Sequence, residues 1–386
     1  MVMALTAAAC TGGDDSGPGQ GRLVVTGGDG SVTLVDPVDG SRAILTEGSA
    51  IGAIVQPTAS PDGSQVVWTE VGPEGAVVVV HEEGELERVG VPTAPFFYHF
   101  APSGDRLAAL GNDPGGDGVA LIMIDVSRRS AEVVDVGQPY FMDWHPDGDR
   151  LVAHIGGDLL ASVAADGDRQ PLGVTTGPFQ APQVTAEGRV LAVVGSSDLT
   201  ASASDGVIAQ LRGGTLGFLD DGEMVDALGN TSSFVSFEMA ANGRHVAFVD
   251  GIGRGGTALG PLVVAAVDGS DAVTVAGEGV VAFEWSPNGD HLLFLTPDRQ
   301  EGFVPHVWDG SVVNDYPGFL PSGVFLTQYL PFWSQYIRSI TQWAPDSGAF
   351  TYAAAGEDES SMVWIQPLDG ERREAGAGEM VTWVPG

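Results

Sequence analysis

Lysine is absent from this 386-residue chain, cysteine occurs once, and no apolar run is long enough to span a bilayer. The 16 basic residues are therefore all arginine, and they face 51 acidic ones, for a formal net charge of -35. A surface this negative repels nucleic-acid phosphates and anionic lipid alike, so neither is a charge-driven partner. It favours cations or a basic protein instead. Cys10, standing alone, excludes an internal disulfide. Catalytic signatures are also missing: no Gly-x-Ser-x-Gly elbow, no His-x-x-x-His helix, no phosphate loop and no paired-cysteine metal site.

Glycine, by contrast, is abundant at 56 residues, as a chain with many tight turns requires. Eight times a short apolar stretch runs into such a turn and out into a second apolar stretch. The turns are Pro61-Asp62-Gly63, Pro102-Ser103-Gly104, Pro146-Asp147-Gly148, Ala186-Glu187-Gly188, Ala241-Asn242-Gly243, Pro287-Asn288-Gly289, Pro345-Asp346-Ser347 and Val384-Pro385-Gly386. A repeat of this length is a copied supersecondary unit that buries its faces against its neighbours. Strand a precedes the turn, as at 140–144, and strand b follows it, as at 150–154. Strand c ends at a second turn, commonly Asp-Gly, and strand d follows. In the fourth unit that second turn is read at Asp205-Gly206.

Four antiparallel strands per unit, repeated around an axis, predict an all-β fold, a β-propeller. The segment 379–386 holds only a strand a, and 22–45 holds only strands b, c and d. Pairing 379–384 with 22–27 completes one blade and closes the ring, which removes exposed sheet edges. Seven whole units and this composite make eight blades, or seven if the weak fourth unit is miscounted. The propeller is expected over 22–386 as one domain, with insertions near 213–232 and 316–336 between strand d of one blade and strand a of the next.

Trp285-Ser-Pro-Asn-Gly289, Trp144-His-Pro-Asp-Gly148 and Trp343-Ala-Pro-Asp-Ser347 resemble the Trp-Ser-Pro-Asp-Gly repeat of TolB-like propellers, over nearly all of 22–386. The resemblance implies a periplasmic protein-interaction module, although the same repeat serves in non-catalytic propellers of peptidases. The start of the chain resembles a different family. Apolar residues, small residues, Cys10 and a Gly/Ser/Asp-rich tether at 11–21 are similar to the lipobox of bacterial lipoproteins. Ala7 stands where Leu is usual, and no basic residue precedes the apolar segment. That resemblance implies lipidation of Cys10, a lipid anchor as the only membrane contact, and an extracytoplasmic location.

Aligning the units exposes a polar column three residues before the Pro position: Thr58, His99, Asp143, Gln183, Glu238, Glu284, Gln342 and Thr382. The next residue is mostly apolar, so the two sets leave opposite faces of strand a. As strand a is innermost, the polar set forms a ring at the axis. Two readings follow. The ring is a ladder of inter-blade hydrogen bonds, or it holds a divalent cation or polar ligand, the one candidate for a bound group. His145, in the Ser position of its turn, is expected to cap that turn.

The connection at 316–336 carries Phe325, Tyr329, Phe332, Trp333 and Tyr336 at near-helical spacing, with Pro331 dividing it into two short helices. Such a stripe packs down as a lid or remains as an anchor patch. Strand order puts it on one face with the other insertion and with the long b–c loop at 250–260, which holds Arg254. Long loops on a rigid scaffold are where binding sites usually lie. The leading reading is a non-enzymatic, lipid-anchored envelope propeller that takes a protein or other macromolecule on that face. The alternative is a propeller enzyme of lactonase or lyase type, with a cation or acid–base pair in the channel.

Overall fold

The computed structural model describes residues 21–48, 54–73, 75–116, 118–176, 180–195, 214–231, 235–250, 260–277, 279–356 and 360–385. Within each unit consecutive strands pair antiparallel in order, giving eight separate sheets. First strands of successive units touch one another, so they lie at the centre and the fourth strands at the rim. Blade 2 covers 54–90, blade 3 95–137, blade 4 140–175, blade 5 183–230, blade 6 235–276 and blade 7 282–315. The fold is an eight-bladed β-propeller.

Blade 1 closes the ring. Its inner strand, Met380–Pro385, pairs with Gly21–Thr26, from Gly21 opposite Pro385 to Thr26 opposite Met380. The first Pro-x-Gly turn reinforces the seam. Gly63 has φ +69°, and a Cβ there would collide with the Pro385 carbonyl, so blade 2 seats directly on the closing strand. At Ser347 a non-glycine takes the equivalent left-handed conformation, φ +62°. His145 caps its turn as its position suggests: the Asp147 N–H donates to Nδ1 at 3.3 Å.

Two units depart from the sequence reading. In blade 5, strand c is Thr215–Asp220 and strand d is Glu223–Asn230, joined at Asp221-Gly222. The segment near 213–232 is therefore the outer hairpin of the blade, and the extra length falls in the b–c connection after Val194. Burial decides this. Leu216, Phe218 and Leu219 are nearly or fully buried, and Asp221-Gly222 is the Asp-Gly pair that follows them. Asp205-Gly206 lies outside the described residues. In blade 8 the sheet proper has three strands, Ala349–Ala355, Ser361–Pro367 and Arg373–Ala377. Its inner segment joins through a single bridge, Trp343 to Phe350.

Inter-blade layers of small and branched side chains form the core, as with Leu151, Ala153, Ala161 and Val163 of blade 4. A ring of blades alone would produce such layers only between neighbours. Here the largest cluster links blades 1, 3, 4, 6, 7 and 8, and Phe325, Tyr329, Trp333 and Tyr336 are among its members. The connection from blade 7 to blade 8 joins them across the axis.

Candidate functional site

The polar ring begins as an inter-blade latch. The Asp143 carboxylate of blade 4 accepts from the Val184 N–H of blade 5 at 2.8 Å. Gln183 of blade 5 accepts from the Met239 N–H of blade 6 at 2.7 Å and donates to the Phe237 carbonyl at 2.9 Å. Glu238 accepts from the Trp285 N–H of blade 7 at 3.0 Å, and Glu284 from the Gln342 N–H of blade 8 at 3.2 Å. The residue after the ring position completes the joint. The indole N–H groups of Trp144, Trp285 and Trp343 donate to the carbonyls of His99, Glu238 and Glu284 in the preceding blade. Alternation along strand a thus sends one side chain to the axis and the next into the neighbouring blade. His99 adds a side-chain contact, with Nε2 2.9 Å from Asp143 Oδ1.

The connection at 316–341 descends into this ring from the face of the d–a connections. Phe325–Tyr329 forms a π-helical turn, Leu330–Phe332 a 3-10 turn containing Pro331, and Trp333–Tyr336 one α-turn. Pro331 tightens the helical path between two turns, as its missing N–H and fixed φ require. The segment then crosses the axis. Gln335 exchanges two hydrogen bonds with the Met142 backbone, both 2.9 Å, and the Tyr336 hydroxyl donates to the Phe96 carbonyl at 2.9 Å. Trp333 meets Phe283 edge-on at 4.5 Å between centroids. Thr58 donates to the Ser339 carbonyl, Thr341 donates to Glu284 at 2.6 Å, and the Thr341 N–H donates to Thr382 at 3.1 Å. Blades 1, 2, 3, 4 and 7 all hold this plug.

The plug also carries Arg338 into the acidic part of the ring. Its Nε and Nη2 are buried and have no hydrogen-bond partner, yet its charge acts on both sides. Burial pushes the Asp143 carboxyl up, but Arg338, His99 and the Val184 N–H together hold it below its ordinary value. Glu238 goes the other way. Burial raises it well above the usual carboxylate range, nearby Glu284 adds to the rise, and Arg338 only partly offsets them. Burial pushes Glu284 up to about 7 against the hydrogen bonds from Thr341 and Gln342. One strand position in three blades thus gives an ionised carboxylate and two that retain protons far more readily.

Seven of the eight ring residues lie on the inner strands and Gln342 on the inner segment of blade 8, whereas most of the expected surface anchors are not at the surface. Phe325, Tyr329, Trp333 and Tyr336 are buried at 3–6% exposure, so they are the inner face of the plug and not a partner-binding stripe. Phe332, at 53%, faces outward. Arg254 and Cys10 lie outside the described residues. Sequence reading missed Gln335, Arg338 and Thr341. A usable signal existed for Arg338: it is the only charged residue in the run 317–345. Among the described residues no group of three or more His, Cys, Asp or Glu side chains is arranged to hold a metal ion.

The class this geometry defines is an eight-bladed propeller with an axial plug supplied by its own chain. No family model matches it, and no curated protein matches it in sequence. Solved propellers do resemble it. A eukaryotic initiation factor superposes with TM-score 0.58 and 12% identity, over 95% of this chain and 99% of that one. An oligogalacturonate lyase in complex with manganese gives 0.54 and 12%, over 85% and 86%. TolB from Acinetobacter baumannii gives 0.43 and 11%, over 96% and 68%, too loose a superposition to argue from. At these identities the likeness concerns the fold alone.

Proposed function

We propose that this chain is a non-enzymatic binding propeller of a bacterial cell envelope, tethered through a lipidated Cys10, which takes a protein or other macromolecular partner on the plug face. One contrast supports the reading. The ring side chains are engaged between blades and the plug crosses the channel, whereas Leu326, Pro331 and Phe332 on the outer side of that plug are exposed. Rigid, inward-anchored elements with outward apolar side chains suit recognition, because little ordering is needed on binding.

Glu284, held up to about 7 beside Glu238, favours the enzymatic alternative, since such a group is suited to proton transfer near neutrality. Against it, Glu284 already accepts hydrogen bonds from Thr341 and Gln342. Catalysis would require the plug to withdraw.

The test places a photo-crosslinking residue at Phe332 or, on the opposite face, at Ser103, in cells of the native host. A partner should be captured from position 332 and not from 103, and Cys10→Ser should move the protein out of the membrane fraction. Capture only from 103 overturns the face. Retention of the Cys10→Ser variant in membranes overturns the tether.

A further inference from the structure

We infer that the plug face takes a basic partner: a cationic amphipathic polypeptide segment that seats apolar side chains on Leu326 and Phe332 and its positive charges on the surrounding acidic rim. This rests on the proposed use of that face and adds the chemistry of what it binds.

The argument starts from where the arginines are. Strand order sends the a–b and c–d turns to one face, and the b–c turns and d–a connections to the other. Arg106, Arg150, Arg189 and Arg244 open b strands, while Arg42 and Arg169 open d strands. All therefore sit at the Pro-x-Gly side, and they are engaged there. Arg106 meets Asp149 at 3.1 Å, Arg189 meets Asp226 at 3.0 Å and Arg244 meets Asp290 at 2.9 Å. Acidic charge on that side is thus partly neutralised within the protein.

The plug side differs. Asp29, Glu47, Asp158, Asp298 and Glu301 are exposed in its turns and connections. Among the described turns and connections there, Arg299 is the only arginine apart from Arg338, whose guanidinium lies at the ring. Hydrogen bonds from Ser31 hold Asp29 below the usual carboxylate range, and the Glu301 and Gln300 N–H groups do the same for Asp298. Both are ionised at neutral pH. At the centre of this rim the plug exposes Leu326 at 43% and Phe332 at 53%. An apolar centre within a rim that is mostly acidic among the described residues selects a partner of opposite charge with apolar anchors, because like charge is rejected as strongly as opposite charge is drawn. An anionic lipid surface or nucleic acid fails that requirement.

The test uses the full chain and three labelled helical peptides of one pattern, Lys–Leu, Ser–Leu and Glu–Leu, followed by fluorescence anisotropy. The Lys–Leu peptide should bind, and salt should weaken it. Leu326→Ser with Phe332→Ser should raise its Kd about tenfold or more. Glu47→Gln with Glu301→Gln should raise it severalfold, and Glu187→Gln on the opposite face should leave it unchanged. Equal binding by all variants means diffuse attraction to the whole chain and overturns the inference. So does failure of all three peptides to bind. If the Ser–Leu or Glu–Leu peptide binds as well and is equally sensitive to the plug substitutions, the basic partner is wrong while the plug face stands. An acidic protein captured from position 332 in the crosslinking test would independently overturn the basic partner in the same way.

Discussion

On the Pro-x-Gly face, Arg106 of blade 3 reaches Asp149 of blade 4, and Arg244 of blade 6 reaches Asp290 of blade 7. On the other face the acidic side chains have few arginines near them among the described residues, and the loop lengths are irregular. One repeat generates both faces, so the difference comes from the connections. Short uniform turns place charges at a fixed offset from the next blade, where they can join it. Long connections release that constraint, and one of them became the plug. The regular side holds neighbours together pairwise, while the plug joins blades that are not neighbours. Variation without loss of the ring is possible only where the turns are not themselves the joints.

If the plug is a structural element with an outer binding surface, its two sides should differ sharply on truncation. Trp333→Ala removes a buried indole that meets Phe283 and should cost about 3–5 kcal/mol in denaturant unfolding. Phe332→Ala, one residue away but exposed, should stay within about 0.5 kcal/mol. Equal costs would mean that the inner and outer sides of the plug are misassigned, and the comparison of the two faces would fail with them.

Most of the regular face could be read in the sequence, and little of the plug could. Turn chemistry and period-two alternation fix the blade order, the ring residues and the closing strand, because each rests on local backbone geometry. Blade 5 shows where that runs out. Two Asp-Gly pairs, at 205 and 221, both satisfy the turn rule, and only the burial of Leu216, Phe218 and Leu219 selects the second. Helical spacing grouped Phe325, Tyr329, Phe332, Trp333 and Tyr336 as one stripe; four of them share the buried face, and Phe332 turns outward. Periodicity tells which side chains share a face, however, and not whether that face looks into the channel or out of it. The contacts that decide the matter, such as Gln335 with Met142, span nearly two hundred residues.

The two sides of the ring offer a second way to sharpen the comparison, through pH. Glu284 has a folded pKa raised from 4.5 to about 7. The folded state therefore holds a proton that the unfolded chain has lost, and stability falls as pH rises between those values. Its contribution is fully present below pH 4.5 and gone above about 7, a span of up to about 3 kcal/mol. Glu238, raised by burial, pushes in the same direction. Asp143 is lowered, so its contribution is present at neutral pH and lost only in acid. Unfolding free energies measured from pH 4 to 8 should decline, and Glu284→Gln should flatten part of that slope. Arg338→Met should steepen it, since the charge that opposes protonation of Glu238 is gone. A wild-type profile that climbs through this window would contradict the assignment of protonated carboxyls to the ring.

The smallest effect belongs to the stitched face. Arg244 and Asp290 are joined at 2.9 Å with side chains 64% and 57% exposed. Water and salt screen such a pair, and each side chain loses freedom in making it. Arg244→Ala should cost about 0–1 kcal/mol, and less still in high salt. The same substitution should leave binding at the plug face untouched, because the residue opens a strand on the opposite side. If it instead cost as much as Trp333→Ala, the ion pairs and not the plug would be the main joint of the ring. The division of labour between the faces would then be the reverse of the one their geometry supports.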